Sequence, residues 1–167
     1  TPAAATATTK TIVESVTGTT RMMTVTLKVG VPMASGDTIT ITGLTGSATA
    51  NGDLTLTGTD SDKFSVSGVE KKAAWTQNTG ALVLTANSRG VNANIDIIFT
   101  FPLAQPATAQ TARSPNVETA FTAGNLASTA LTGTNILLKA GASGGGGGGT
   151  PAAATATTKT IVESVTG

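Results

Sequence analysis

Residues 21–31, RMMTVTLKVGV, decide the fold class of this chain. Apolar residues occupy every second position from Met23 to Val31, and threonine, lysine and glycine stand between them. Successive side chains of a β-strand point to opposite faces of a sheet, whereas a helix face needs apolar residues three and four positions apart. The period of two therefore predicts a strand with one buried face and one exposed face.

The same alternation recurs along the chain, and turn residues separate the alternating segments. The further predicted strands are residues 37–44 (DTITITGL), 53–58 (DLTLTG), 81–85 (ALVLT) and 94–101 (NIDIIFTF). Pro102 and Pro106 are expected to end the last of these, and a helix stays open over residues 120–132. Short strands spaced by turns, with no sustained helical period, predict an all-β, immunoglobulin-like β-sandwich.

The composition excludes several functional classes. The chain has no cysteine and no histidine, and its formal net charge is +1. A disulfide framework or thiolate metal site cannot form, and the usual general base is missing. The low net charge gives no basic surface for nucleic acid, and no apolar run approaches the length of a membrane span. We expect no enzymatic activity, no resident cofactor, no nucleic-acid partner and no membrane insertion.

An internal duplication is the most informative feature of the sequence. Residues 1–18, TPAAATATTKTIVESVTG, recur without change as residues 150–167. The glycine-rich segment 141–149, GASGGGGGG, precedes the second copy and has the composition of a linker. The predicted organisation is a first strand in 1–18, a sandwich core in 19–140, a linker in 141–149 and a duplicate strand in 150–167.

A sandwich has one place for a given edge strand, so the two copies cannot both occupy it, and one copy must be spare or must leave. The residues expected to form a strand-donation interface are Thr8, Lys10, Ile12, Val13 and Val16, with Ile161, Val162 and Val165 in the second copy. In one interpretation, the first copy completes a neighbouring subunit and the second copy completes its own domain. The chain could also be one period of a tandem array, or the second copy could be a terminal cap.

Four segments carry a resemblance to a known family: residues 37–47 (DTITITGLTGS), 53–69 (DLTLTGTDSDKFSVSGV), 74–86 (AWTQNTGALVLTA) and 97–110 (IIFTFPLAQPATAQ). Together they resemble the Thr/Ala-rich immunoglobulin-like tandem repeats of very large surface proteins of algae and related protists. The duplicated strand behind a glycine linker resembles self-complemented, donor-strand pilin chains. The resemblance implies an extracellular or cell-surface module of mechanical or adhesive role, without catalytic residues.

Two other features are candidate binding sites. Asp60 and Asp62 offer the oxygen ligands that Ca²⁺ prefers, although a polar turn in which Asp and Ser bond to the backbone is the favoured interpretation. Trp75, the single tryptophan, could stack on a sugar ring but is expected in the core. The leading functional hypothesis is a structural subunit of an extracellular filament or surface layer that binds copies of itself by strand donation. The alternative is an adhesive module that binds a glycan or another surface.

Overall fold

The computed structural model describes residues 2–141, and this part of the chain is all-β. Its strands are Ala7–Thr17 (β1), Thr20–Val29 (β2), Thr38–Thr42 (β3), Gly52–Thr55 (β4), Ser65–Val66 (β5), Val69–Glu70 (β6), Lys72–Thr76 (β7), Ala81–Thr85 (β8), Asp96–Ala104 (β9), Asn116–Phe121 (β10) and Gly124–Ala130 (β11). A 3₁₀ turn, Ser61–Lys63, lies between β4 and β5. The second copy, with Ile161, Val162 and Val165, lies outside the described residues.

The strands form two main antiparallel sheets. The smaller sheet has the order β1-β2-β9, and the larger has the order β11-β10-β3-β8-β7-β4. A two-stranded ribbon, β5-β6, accompanies them. This arrangement confirms the predicted all-β sandwich class.

Alternation along the central strands produces the core. Met23, Val25 and Leu27 of β2 are fully buried, while the residues between them are half-exposed. Phe99 and Phe101 of β9 pair with Val25 and Met23 in the neighbouring strand and are buried with them. Burial of each such side chain stabilises the fold by ~1.5–3 kcal/mol, so the alternating pattern fixes which face of each strand points inward.

The prediction that Pro102 ends its strand was wrong, because β9 continues to Ala104. The backbone N–H of Thr100 points away from β2 and donates to the carbonyl of Thr57 (2.8 Å). Pro102 lies two residues further on, so its nitrogen faces the same outer side. Proline removes no bond of the β2 ladder there, which is why the strand tolerates it.

The possible helix over residues 120–132 is also absent, because that segment contains the end of β10 and the whole of β11. Phe121 pairs with Gly124, so a two-residue turn joins the strands. Asp37 holds this turn: its Oδ1 accepts hydrogen bonds from the backbone N–H and the hydroxyl of Thr122, both at 2.8 Å. Its Oδ2 accepts from the N–H of Ala34 (2.8 Å).

The edges of the smaller sheet are hydrogen-bonded to segments that follow the edge strands of the larger sheet. Beyond β4, Thr57 exchanges two hydrogen bonds with Thr100 of β9. Beyond β11, Thr132 forms a parallel bridge with Thr11 of β1. Both outer strands of the smaller sheet therefore have backbone hydrogen bonds on both sides, and isolated bridges close the two long edges of the sandwich.

Candidate functional site

The place that β1 and residues 3–6 before it occupy is the candidate functional site, and we call it the slot. One wall of the slot is β2, which pairs with β1 from Ala7↔Val29 to Thr17↔Thr20. A two-residue turn joins the two strands, and Gly18 adopts φ +60 in it. Positive φ is favourable for glycine and matches the turns of two-residue hairpins.

The opposite wall of the slot is formed by β11 and the residues that follow it. Asn125 accepts from the N–H of Ala5 (2.8 Å) and donates to the carbonyl of Ala3 (3.0 Å). Thr132 accepts from the N–H of Ile12 (2.9 Å) and donates to the carbonyl of Lys10 (2.8 Å). The strand in the slot is therefore antiparallel to one neighbour and parallel to the other, and it is bonded along both sides.

Two glycines give the slot its width. A Cβ atom added at Gly133 would lie 2.4 Å from the carbonyl oxygen of Ile12, and one added at Gly124 would lie 2.8 Å from that of Ala3. Real Cβ atoms do not approach an oxygen so closely. The absence of side chains at these two positions lets the backbone of the first copy lie directly against the wall.

The structure places the predicted interface residues on different faces of β1. Ile12 is 1% exposed and belongs to the core, whereas Val13, on the opposite face, is 62% exposed. Val16 shares the face of Ile12 and lies opposite Arg21, but it is 55% exposed near the turn. Thr8 is exposed at a break in the register between Ala7 and Thr9. Lys10 is half-buried, and its Nζ donates to the Thr129 hydroxyl at 2.9 Å.

A buried ion pair between Glu14 and Arg21 lies at the end of the slot near the turn. The two side chains are only 6% and 11% exposed. The second carboxylate oxygen of Glu14 accepts from the N–H of Leu137 (2.6 Å), and Arg21 donates to the carbonyl of Leu138 (3.1 Å). This pair was not among the residues predicted from the sequence. The signal for it was the position of Glu14 two residues after Ile12, on the inward face of the strand.

The candidate calcium ligands have protein partners. Asp60 accepts from the N–H of Ile98 (2.9 Å), and Asp62 forms an ion pair with Arg89 (3.6 Å). Arg89 also donates to Glu70, and this hydrogen bond, with the charges of Glu70 and Asp62, raises the pKa of its guanidinium. Within residues 2–141, no group of three or more His, Cys, Asp or Glu side chains is placed to hold a metal ion.

The structure also locates the possible sugar-binding features. Trp75 is 3% exposed, and its Nε1 donates to the carbonyl of Thr49 (3.0 Å), so the ring belongs to the core as predicted. An open cleft of about 420 Å³ lies beside the 3₁₀ turn, between Asp60, Lys63 and Arg89. In the described part of the chain, no helix is long and apolar enough to cross a membrane.

Comparisons with known proteins identify no family. No family model matches the chain, and no curated protein matches it. Two structures of a GH20 exo-β-N-acetylglucosaminidase from Vibrio harveyi, one in complex with N-acetylglucosamine and one an inactive mutant, are similar at TM-scores of 0.41 and 0.39. The identities are 11% and 10%, over 83% and 81% of this chain and 19% of each of those chains. The chain spans less than a fifth of the length of either enzyme, and likeness at this level says nothing about its activity.

Proposed function

We propose that this chain is a structural subunit of an extracellular filament or surface layer, and that subunits join when the second copy of one chain fills the slot of another. The observation that supports the proposal is the slot itself, which takes one strand, in a chain whose sequence carries that segment twice. Ile161 corresponds to Ile12, and Glu163 corresponds to Glu14. Every contact that the slot makes with the first copy is therefore open to the second.

A strand added in this way would form both the backbone hydrogen bonds and the side-chain contacts that the slot offers. Backbone bonds along both sides supply affinity, and the pocket for Ile12 and the partners of Glu14 supply specificity. The first copy completes its own chain in the structure. We therefore assign the donor role to the second copy, rather than to the first as in the donation interpretation of the sequence.

The length of the linker favours donation between chains over return within one chain. A strand in the slot enters beside Asn125 and passes Leu137 toward its far end, and Leu137 precedes Gly141 by four residues in the chain. From Ala3 to Glu14 the strand advances by eleven residue steps, or ~36 Å at ~3.3 Å per residue. Ala152, the counterpart of Ala3, is also eleven residues from Gly141, which allows at most ~36–40 Å. For the second copy to fill the slot of its own chain, the segment from Gly141 to Ala152 would have to be almost fully extended along the whole slot.

Exchange in the complete chain has to displace the first copy, which a two-residue turn holds beside β2. A tethered strand competes at a high effective concentration, of the order of millimolar for short linkers and higher for a tight turn. We therefore expect exchange after unfolding and refolding at high chain concentration, or where the first copy is absent.

Paired cysteines test the proposal directly, because the chain has no cysteine of its own. Thr11 and Thr132 are bridge partners with outward side chains, at a spacing that suits a disulfide. The first reporter is Thr11→Cys with Thr132→Cys, and the second is Thr160→Cys with Thr132→Cys, because Thr160 is the counterpart of Thr11.

After refolding from urea at increasing chain concentration, the second reporter should yield disulfide-linked dimers and larger species on a non-reducing gel. The first reporter serves as the matched control for chains that refold on their own first copy. Disulfides that form only within single chains at every concentration, or none with the second reporter, would overturn the proposal.

A further inference from the structure

We propose that the buried Glu14–Arg21 pair selects which face of the repeated strand turns inward, and thereby fixes the register in which either copy fills the slot. For the second copy, which carries Glu163, the inference rests on the proposed function above. For the first copy it stands on the described contacts, and the two-residue turn at Gly18 constrains the register there as well.

The repeated strand carries two faces that could each serve as the inner one. Lys10, Ile12 and Glu14 form the face that is turned inward in the structure. Thr11, Val13 and Ser15 form the opposite face, and a one-residue shift would turn it inward. Val13 would then occupy the place of Ile12. Isoleucine and valine differ by a single methylene group, so the apolar residue alone discriminates poorly between the two registers.

The position of Glu14, which lies opposite Met23 and forms the ion pair with Arg21, discriminates strongly. In the shifted register Ser15 replaces Glu14 there, so the guanidinium loses its counter-charge and the N–H of Leu137 loses its acceptor. Arg21 Nε has no hydrogen-bond partner among the described residues, so Arg21 depends on Glu14 and on the carbonyl of Leu138. A buried charge left without its partner is among the most costly defects in a fold.

A shift by two residues keeps the same face inward but is excluded by the same side chains. It would place either Lys10 or Glu14 in the position of Ile12, which is 1% exposed and surrounded by apolar residues. Burying an unpaired charge there is highly unfavourable. The pattern Lys-x-Ile-x-Glu therefore permits one register, and the duplicate at residues 159–163 contains the same pattern.

The test uses the two disulfide reporters in the complete chain. Glu14→Ser places serine at the position beside Arg21 whichever face of the first copy turns inward, while the second copy keeps Glu163. With Glu14→Ser, we expect only a minority of chains to form the disulfide of the first reporter. We expect a larger fraction of chains to form the disulfide of the second reporter. Glu118→Ser, an exposed position on β10, is the matched control and should change neither reporter.

A companion variant separates register from general destabilisation. Arg21→Leu, added to Glu14→Ser, removes the uncompensated charge and should restore folding without restoring the register. The fraction of chains that form the disulfide of the first reporter should then stay low, while the denaturation midpoint recovers.

The inference would be overturned if Glu14→Ser left the disulfide yield of the first reporter unchanged. It would also be overturned if adding Arg21→Leu restored that yield in full. A lower disulfide yield in the first reporter, without a higher yield in the second, would support the role of Glu14 and contradict strand exchange.

Discussion

At the scale of single residues, the fit of a strand in the slot depends on glycine positions, which carry no side chain, as much as on positions that carry one. Gly133 lies against the backbone of Ile12, at a point where a Cβ atom would be 2.4 Å from the carbonyl oxygen and 2.7 Å from Cγ2. The conflict involves backbone, which cannot move aside without breaking the bonds between Thr132 and β1.

We therefore predict that Gly133→Ala lowers the free energy of unfolding by ~1–3 kcal/mol, the usual cost of overpacking. Urea denaturation followed by tryptophan fluorescence measures it. Gly141→Ala is the matched control, because the nearest atom to its Cβ is that of Ala109 at an ordinary 3.6 Å. Equal stability of the two variants would show that the wall is not tightly fitted.

Asp37 is a second structural residue, since it is 4% exposed and accepts hydrogen bonds from Ala34 and Thr122. Asp37→Ala would leave buried donors without acceptors and should lower the free energy of unfolding by ~2–4 kcal/mol. The exposed Asp53→Ala is the comparison. If thermal unfolding shows the same shift for both, Asp37 does not hold the β10–β11 turn.

Sequence reasoning identified Ile12 and Val13 together as interface residues but could not choose between them. Both are β-branched and adjacent, so each lies at the centre of one face of the strand. The choice depends on Arg21, whose position beside Glu14 follows from the tight turn at Gly18 and from the later segment that contains Leu137. A contact that joins residues more than a hundred positions apart leaves no periodic signal in the sequence.

At the scale of elements, alternation identified the strands but not their edges. The buried faces of β2, β3 and β9 follow the predicted period of two. The continuation of β9 through Pro102 was missed because it depends on which side of the strand faces a partner. The strands over residues 120–132 were ambiguous because small and polar residues there weaken the period.

The geometry of β9 predicts that proline is tolerated at one position and excluded two residues earlier. The N–H of Thr100 donates to Thr57, so Thr100→Pro removes a bond at the closed edge and should cost ~1–3 kcal/mol. Pro102→Ala removes no bond and should change stability by less than ~0.5 kcal/mol. Denaturant titration compares the two variants. A larger loss of stability with Pro102→Ala than with Thr100→Pro would contradict the assignment that the backbone nitrogen of residue 102 faces away from β2.

At the scale of the whole molecule, the sandwich is closed along both edges only when a strand fills the slot. Removal of that strand exposes an edge of β2 and the apolar surface that Ile12 covers, and such an edge is a template for pairing with another chain. In the complete chain the first copy prevents this exposure. The second copy is the only other segment of the sequence with the same side chains.

The most direct test is the mass, by light scattering, of a chain that lacks residues 1–18, measured over a range of concentrations. The account predicts oligomers whose mass rises with concentration, because the second copy of one chain fills the slot of the next. The chain that lacks residues 150–167 keeps β1 and should stay monomeric. A folded monomer from the first deletion at every concentration would contradict assembly by strand donation.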